Sequence, residues 1–178
     1  MNKNFFEIKN VDFNVGGKTK VKNVSFSIEK EGDIICLLGP SGIGKTTILR
    51  TIAGLEKIEK GSIKLNGKTI SSEKIYIEPE YRNISLAFQD NSLFPHYTVE
   101  KNILLGSERN KENNEKKLSL KEIVDLLDIF HILNKFPHEI SAGEAQRASL
   151  ARSLITQPDL LLLDEPLSNV DQSFKEEI

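Results

Sequence analysis

Gly39-Pro40-Ser41-Gly42-Ile43-Gly44-Lys45-Thr46 fits the pattern G-x-x-x-x-G-K-[ST], a spacing whose chemistry is phosphate binding. The glycines let the backbone wrap close to an anion with its N–H groups turned inward. A helix starting where the loop ends adds the partial positive charge of its N-terminus. In that setting Lys45 reaches the β- and γ-phosphates and the Thr46 hydroxyl ligates Mg²⁺. A second candidate is Asp164-Glu165, directly after Leu160-Leu161-Leu162-Leu163. Carboxylates at the C-terminal end of a buried strand face the crevice where open α/β sheets bind ligands. Asp164 can hold the Mg²⁺ shell through water, and Glu165 can orient an attacking water or accept its proton. Alone, an apolar run ending in Asp-Glu equally describes a solvated strand end. Its pairing with the glycine loop gives it a chemical reading.

These residues need a strand before each motif and a helix after the first. Two continuous apolar runs, Ile34-Ile35-Cys36-Leu37-Leu38 and Leu160–Leu163, suit strands buried on both faces of a parallel sheet. On this reading Cys36 is a small core residue. Ile84-Ser85-Leu86-Ala87-Phe88 is a further candidate core strand, and a helix is expected from Thr46 to about Leu55. The N-terminal third alternates instead. Val24, Phe26 and Ile28 are interleaved with polar residues, as are Ile63 and Leu65, the period-2 pattern of half-buried strands. Asn66-Gly67 then signals a tight hairpin, since a type I′ turn needs positive φ at both central positions. Leu120, Ile123, Val124 and Leu127 have helical spacing behind a Ser119/Glu122 capping box. Another helix is expected from Ser141 to about Ile155. Ser107 to Lys117 is polar, without apolar period, and reads as a solvated loop or frayed helix.

Composition narrows the class. A chain of 178 residues with 38% hydrophobic and 28% charged residues is long enough for a buried core and is neither disordered nor membrane-embedded. Its net charge of −2 argues against a nucleic-acid partner, which would need a basic face. A single cysteine excludes an internal disulfide framework and fits a reducing compartment. Met1 to Glu7 carries no apolar signal region, and no apolar run approaches the ~20 residues of a membrane helix. No internal repeat is evident.

In order along the chain, these motifs resemble those of the nucleotide-binding subunit of an ATP-binding cassette (ABC) transporter, from about Val11 to Asp171. Walker A is Gly39 to Thr46, extended by Thr47. The Q-loop corresponds to Phe88-Gln89-Asp90, continuing as Leu93-Phe94-Pro95-His96. The signature, usually Leu-Ser-Gly-Gly-Gln, corresponds to Ile140-Ser141-Ala142-Gly143-Glu144, followed by Gln146-Arg147 and Ala151-Arg152. Walker B is Leu160 to Asp164 with Glu165 as the catalytic glutamate, and the D-loop is Ser168-Asn169-Val170-Asp171.

The resemblance implies an α/β P-loop NTPase fold. Its RecA-like, largely parallel core would run from about Asp33 to Phe88 and from about Asp159 onward. An antiparallel β subdomain would come from the N-terminal third, and a helical signature subdomain would span 89–155 within a single nucleotide-binding domain, 1–178. It implies an ATP hydrolase with ATP and Mg²⁺ as ligands. Glu165, Lys45 and Gln89 would be catalytic, and Thr46, Gln89 and Asp164 would hold the metal. Gly39, Pro40, Ser41, Gly42, Ile43, Gly44, Lys45, Thr46 and Thr47 would bind ATP. Val15 would offer the adenine an apolar contact, and Ser141, Gly143, Glu144 and Asp171 would complete the site of a second copy. A homodimer, or a pseudo-symmetric heterodimer, would close over two ATP molecules. The Q-loop region would contact integral membrane permease subunits, with this chain peripheral on the cytoplasmic side of the cell membrane. Pro79 to Ile84 and the Leu-Phe-Pro-His run look most like bacterial importer subunits. The alternatives are a soluble non-transport ABC ATPase and an ATP-dependent dimerisation module with impaired catalysis. A GTPase is disfavoured because Asn134-Lys135 continues as Phe136-Pro137 rather than as a guanine-binding motif.

Four departures bear on the chemistry. The family's adenine-stacking aromatic aligns with Val15, which has no π-face; Phe13, two residues earlier, is expected in the core. Ala142 replaces a glycine where a partner's nucleotide approaches. Glu144 replaces glutamine and adds negative charge, which weakens phosphate contact unless its Ser141/Glu144 capping role holds it back. The family's last strand and switch histidine are not found before Ile178, and His96, His131 and His138 read as surface or packing residues. The chain therefore reads as shortened, with nucleotide binding expected to survive better than hydrolysis.

Overall fold

The computed structural model describes residues 4–15, 19–88, 92–107 and 118–166. The chain divides into two compact units, Met1–Asn83 and Ile84–Ile178.

The first unit is built on a four-stranded antiparallel sheet in the order β2-β1-β3-β4, with β1 at Phe6–Val15, β2 at Thr19–Ile28, β3 at Lys60–Leu65 and β4 at Lys68–Ser72. On β1 the buried residues are Phe6 and Ile8, then Val11 and Phe13. The switch from even to odd positions coincides with bulges in the β1–β2 pairing on either side of Val11. One extra residue shifts the side-chain alternation by one, so both halves of the strand keep their apolar face inward. The left-handed Asn10 (φ 50°) and Asn23 (φ 58°) absorb the irregularity. Asn10 N–H donates to Ser25 Oγ at 2.9 Å and Asn23 N–H to Asp12 Oδ1 at 2.8 Å. The β3–β4 hairpin turns on Asn66 (φ 50°) and Gly67 (φ 71°), with Leu65 opposite Lys68, as the Asn-Gly pair predicts.

Helix α1, Lys45–Ala53, packs against β1, burying Thr51, Ile52 and Ala53. It ends at Gly54, whose N–H bonds to Thr51 O and whose left-handed backbone (φ 87°) stops the helix. Beyond it lies a polar staple. Arg82, 2% exposed, donates to Ile77 O at 2.6 Å, Thr51 O at 3.1 Å, Ile52 O at 2.9 Å and Ser71 Oγ at 3.0 Å. Its guanidinium lies 5.1 Å from the centre of the Tyr76 ring, and burial lowers its pKa.

The apolar run before the glycine loop does not form the expected buried strand. Residues 33–40 carry no regular structure, Ile34 is 89% and Leu38 91% exposed, and Cys36 is exposed rather than a core residue. Apolar composition supplies the tendency to be buried but not the ladder, and a strand exists only where a neighbour pairs with it.

In the second unit β5 (Ile84–Ala87) and β6 (Leu160–Leu163) pair in parallel, with Ile84 opposite Leu160 and Ala87 opposite Leu163. These are the only parallel strands among the described residues, so the expected larger parallel sheet is represented there by one pair. Of the four leucines of β6 only Leu162 is buried, and Leu163 is 38% exposed, so the run is not covered on both faces in the way its composition suggests. Three helices form the rest: α2 at Val99–Leu104, α3 at Leu120–Leu126 and α4 at Ala142–Leu154. Their common core holds Val99, Ile103, Ile123, Val124, Leu127, Ile129, Ile132, Ala148, Ala151 and Ile155. Small residues on α4 (Ala145, Ala148, Ser149, Ala151) let α2 and β5 pack closely on it. The Ser119/Glu122 capping box forms as predicted. Of Ser107 to Lys117, read from sequence as a solvated loop or frayed helix, all but Ser107 lie outside the described residues. No helix among the described residues is long and apolar enough to cross a membrane.

Candidate functional site

The glycine loop runs directly into α1. Gly44 occupies the N-cap in a left-handed conformation (φ 106°), offers no side-chain cap, and no acidic residue follows in the first turn. The end that a Ser or Asp would normally close is built from glycine, which leaves its positive dipole end to a ligand. Gly42 is also left-handed (φ 81°), and the loop tightens through Ile43 N–H to Pro40 O at 3.4 Å. Ser41, Ile43 and Thr46 are exposed. Thr47 O accepts the Thr51 hydroxyl at 2.8 Å, inside the helix. Lys45 Nζ donates to Gly39 O at 2.9 Å and Pro40 O at 3.0 Å. The ammonium thus lies folded over the mouth of its own loop, on neutral acceptors that charged phosphate oxygens outcompete.

The acidic pair belongs to the second unit. Asp164 continues the parallel ladder past β6, its N–H donating to Ala87 O at 3.1 Å, and is 7% exposed. Glu165 is exposed and left-handed (φ 49°), an uncommon conformation for a glutamate, and places its carbonyl 3.5 Å from Gln146 Nε2. Gln89 lies two residues past β5 and, with Asp90 and Asn91, outside the described residues; so does the 168–171 segment with Asp171. Val15 ends β1, its side chain likewise outside the described part, while Phe13 is 1% exposed in the core and so not offered to a base.

The signature segment forms the start of α4. Ser141 is the N-cap, Ala142 and Gly143 open the helix, and Glu144 completes a capping box. Ser141 N–H donates to Glu144 Oε2 at 2.7 Å, and Glu144 N–H to Ser141 Oγ at 3.2 Å. Glu144 Oε1 lies 2.9 Å from His131 Nε2. The Ser141 backbone and side-chain hydrogen bonds, then His131, lower the Glu144 pKa to about 2. At the other end of the helix Arg152 donates to Ser92 O and Ser92 Oγ, both at 3.0 Å, with its guanidinium 5.8 Å from the centre of the Phe94 ring. Burial lowers its pKa.

Three polar residues that organise these segments escape a motif-based reading. Asn102 is fully buried: its Oδ1 accepts Phe94 N–H at 2.7 Å, and its Nδ2 donates to Phe94 O, Tyr97 O and Thr98 O at 3.0–3.1 Å. It shapes the 94–98 turn that follows the Q-loop position. The signal was available, since a polar residue stands in the apolar stripe of Val99 and Ile103. Arg82 and His131 carry no comparable local signal. His96 packs against Tyr97 at 4.3 Å between ring centres, and His138 stacks on Phe136 at 5.8 Å.

Comparison with known proteins agrees with this arrangement. The family model described as ABC transporter matches residues 21–168. The chain is 40% identical over 173 residues to the Fe(3+) ions import ATP-binding protein FbpC of Fusobacterium nucleatum, covering 97% of this chain and 45% of that protein. It is 43% identical over 173 residues to the spermidine/putrescine import ATP-binding protein PotA of Nitrosospira multiformis, covering 97% and 46%. It is 41% identical over 175 residues to the glucose import ATP-binding protein GlcV of Saccharolobus solfataricus, covering 95% and 49%. The chain thus spans about half the length of these curated relatives. Among solved structures it matches the ATP-binding cassette MJ0796, a dimer in a post-hydrolysis state bound to ADP and Pi, with a TM-score of 0.79 and 26% identity over 97% of this chain and 79% of that one. The α/β fold is that of an ABC ATPase cassette.

Proposed function

The chain belongs to the ABC transporter family, and from that premise we propose that it is the ATP-binding and ATP-hydrolysing part of an import system, acting as one of two copies that close over two ATP molecules. The observation that carries this is the start of α1: a helix end left open by Gly44, behind a glycine loop folded around Lys45. Gly39 to Thr47 wrap the phosphates, and Lys45 exchanges its two loop carbonyls for β- and γ-phosphate oxygens. Thr46, Gln89 and Asp164 offer a hydroxyl, an amide and a carboxylate, the hard oxygen donors that suit Mg²⁺. When bound, Mg²⁺ offsets charge on the phosphate oxygens. Glu165 orients the attacking water and accepts its proton, and Gln89 helps position that water. Val15 gives the adenine an apolar contact. Ser141, Gly143, Glu144 and Asp171 of one copy complete the nucleotide site of the other.

The names of the relatives, all import ATP-binding proteins, support import rather than a soluble repair or translation role. On this reading permease subunits dock at the Q-loop region, and the chain works at the cytoplasmic face of the membrane. Residues 89–155 serve as the helical subdomain of one nucleotide-binding domain. Calorimetric titration with MgATP tests the core of the proposal. A saturable heat that requires Mg²⁺ and disappears in Lys45→Ala is expected. Equal heats for the folded parent and the variant would overturn it.

A further inference from the structure

Glu144 stands where the family usually has glutamine, and its carboxylate is held at both oxygens. Oε2 accepts Ser141 N–H at 2.7 Å, and Oε1 meets His131 Nε2 at 2.9 Å. Ionised, that carboxylate only accepts, so the proton of the second bond sits on Nε2. The two partners differ in kind. Ser141 is the helix's own cap and moves with it. His131 belongs to the 3-10 turn Phe130–Ile132, thirteen residues earlier; Phe130 beside it is exposed, but Ile129 just before the turn and Ile132 at its end are both fully buried in the helical core. Its backbone is therefore anchored while its ring, with a half-exposed side chain, reaches out to Glu144, whose own side chain is only 19% exposed.

We propose that His131 is a positioning residue for the signature segment, acting through Glu144. By fixing one carboxylate oxygen to the anchored turn, it keeps the Glu144 side chain folded on Ser141 and its charge engaged there. Without His131, Ser141 alone among the described residues restrains the carboxylate. Its charge is then freer to swing toward an approaching triphosphate, where like charges repel. This rests on the reading that Ser141–Glu144 faces the nucleotide of a second copy. It also explains how a chain with glutamate at this position tolerates a negative charge there.

The test compares His131→Ala, His131→Gln, Glu144→Ala and the His131→Ala/Glu144→Ala pair in the full chain. Two quantities are read: the MgATP concentration for half-maximal dimerisation, by light scattering, and kcat at saturation. His131→Ala is expected to raise the half-point roughly 2- to 5-fold, the scale of a half-exposed charge-assisted bond, while leaving kcat within about 1.5-fold. His131→Gln, a neutral donor, restores part of the loss. In the Glu144→Ala background His131→Ala has no further effect. An unchanged half-point in His131→Ala, or effects that multiply in the double variant, would overturn the proposal. Long-range ¹H–¹⁵N spectra of the His131 ring give a readout independent of nucleotide. The Nε2 resonance should shift in Glu144→Ala, and an unmoved resonance would remove the contact itself. If that resonance responds but the parent shows no MgATP-dependent dimer, the dimer reading fails, the positioning role falls with it, and the bond stands as a cap alone.

Discussion

Gly54 and Arg82 share one space. A Cβ placed on Gly54 would lie 2.7 Å from Arg82 Cζ, and the left-handed backbone of Gly54 (φ 87°) already disfavours any side chain. Arg82 fills the gap with bonds to the last carbonyls of α1, so the helix that starts at the phosphate loop is closed at its other end by a guanidinium.

Gly54→Ala is therefore expected to cost about 2–4 kcal/mol, combining left-handed strain with displacement of a buried, fully bonded arginine. Gly42→Ala is the control. Its φ of 81° is equally left-handed, but nothing among the described residues lies within 4 Å of an added Cβ. Strain alone should cost it about 1–2 kcal/mol. Urea unfolding of the two variants checks the difference, and equal losses would show that Arg82 yields without penalty.

Acid should weaken the cap of α4. Glu144 has a folded pKa of about 2, below its reference value of 4.5. A depressed carboxylate contributes stability that is complete above the reference value and lost as pH falls through the folded one. The stability difference between the parent and Glu144→Gln should hold from pH 7 to about 5 and shrink steadily between about pH 4.5 and 2. Denaturation midpoints at pH 7, 4 and 3 measure it. A difference that stays constant to pH 3 would mean that Glu144 titrates as an ordinary carboxylate.

Asn102 should be among the least replaceable polar residues of the second unit. Its amide accepts one backbone N–H and donates toward three carbonyls of the 94–98 turn, with no exposure to water. Asn102→Leu adds volume and removes the side-chain partner of Phe94 N–H and Tyr97 O, while Phe94 O and Thr98 O keep the backbone N–H groups of Tyr97 and Asn102, at about 2–4 kcal/mol. Hydrogen exchange at Phe94 N–H should accelerate more than exchange at the α3 amides. Uniform acceleration would indicate a global loss and no special role in the turn.

What the residues announced in advance was local. Asn66-Gly67 needs only its own backbone to make a hairpin, Ser119/Glu122 and Ser141/Glu144 need only one helical turn, and the glycine loop carries its geometry in its spacing. What escaped was long-range. Ile34–Leu38 has the composition of a buried strand, but composition does not name the partner strand, and the run is exposed along with Cys36. Arg82 meets Thr51 and Ile52 across about thirty residues of sequence, and no periodicity encodes that. His131 reads in sequence as a surface or packing residue because the helix turn carrying Glu144 lies thirteen positions away. The bulges beside Val11 likewise follow from pairing with β2, not from β1 alone.

Gln146 offers a test of how the signature helix meets the strand end that carries Glu165. It is 8% exposed, its Nε2 stands 3.5 Å from Glu165 O, and its Oε1 has no hydrogen-bond partner among the described residues. A buried acceptor left unpaired is a cost, and a bond of that length returns little of it. Gln146→Met, similar in volume, should therefore leave stability within about 1 kcal/mol of the parent. Gln146→Glu, which buries a charge in the same space, should lose about 2–4 kcal/mol at neutral pH and recover part of that as the carboxyl protonates. The sign follows from burial: a carboxyl pushed up on folding destabilises above its folded pKa and relaxes below it. Chemical denaturation of both variants at pH 7 and pH 5 separates the cases. A Met variant that loses as much as the Glu variant would show that the amide's contact with the Glu165 carbonyl holds the strand end in place, despite its length.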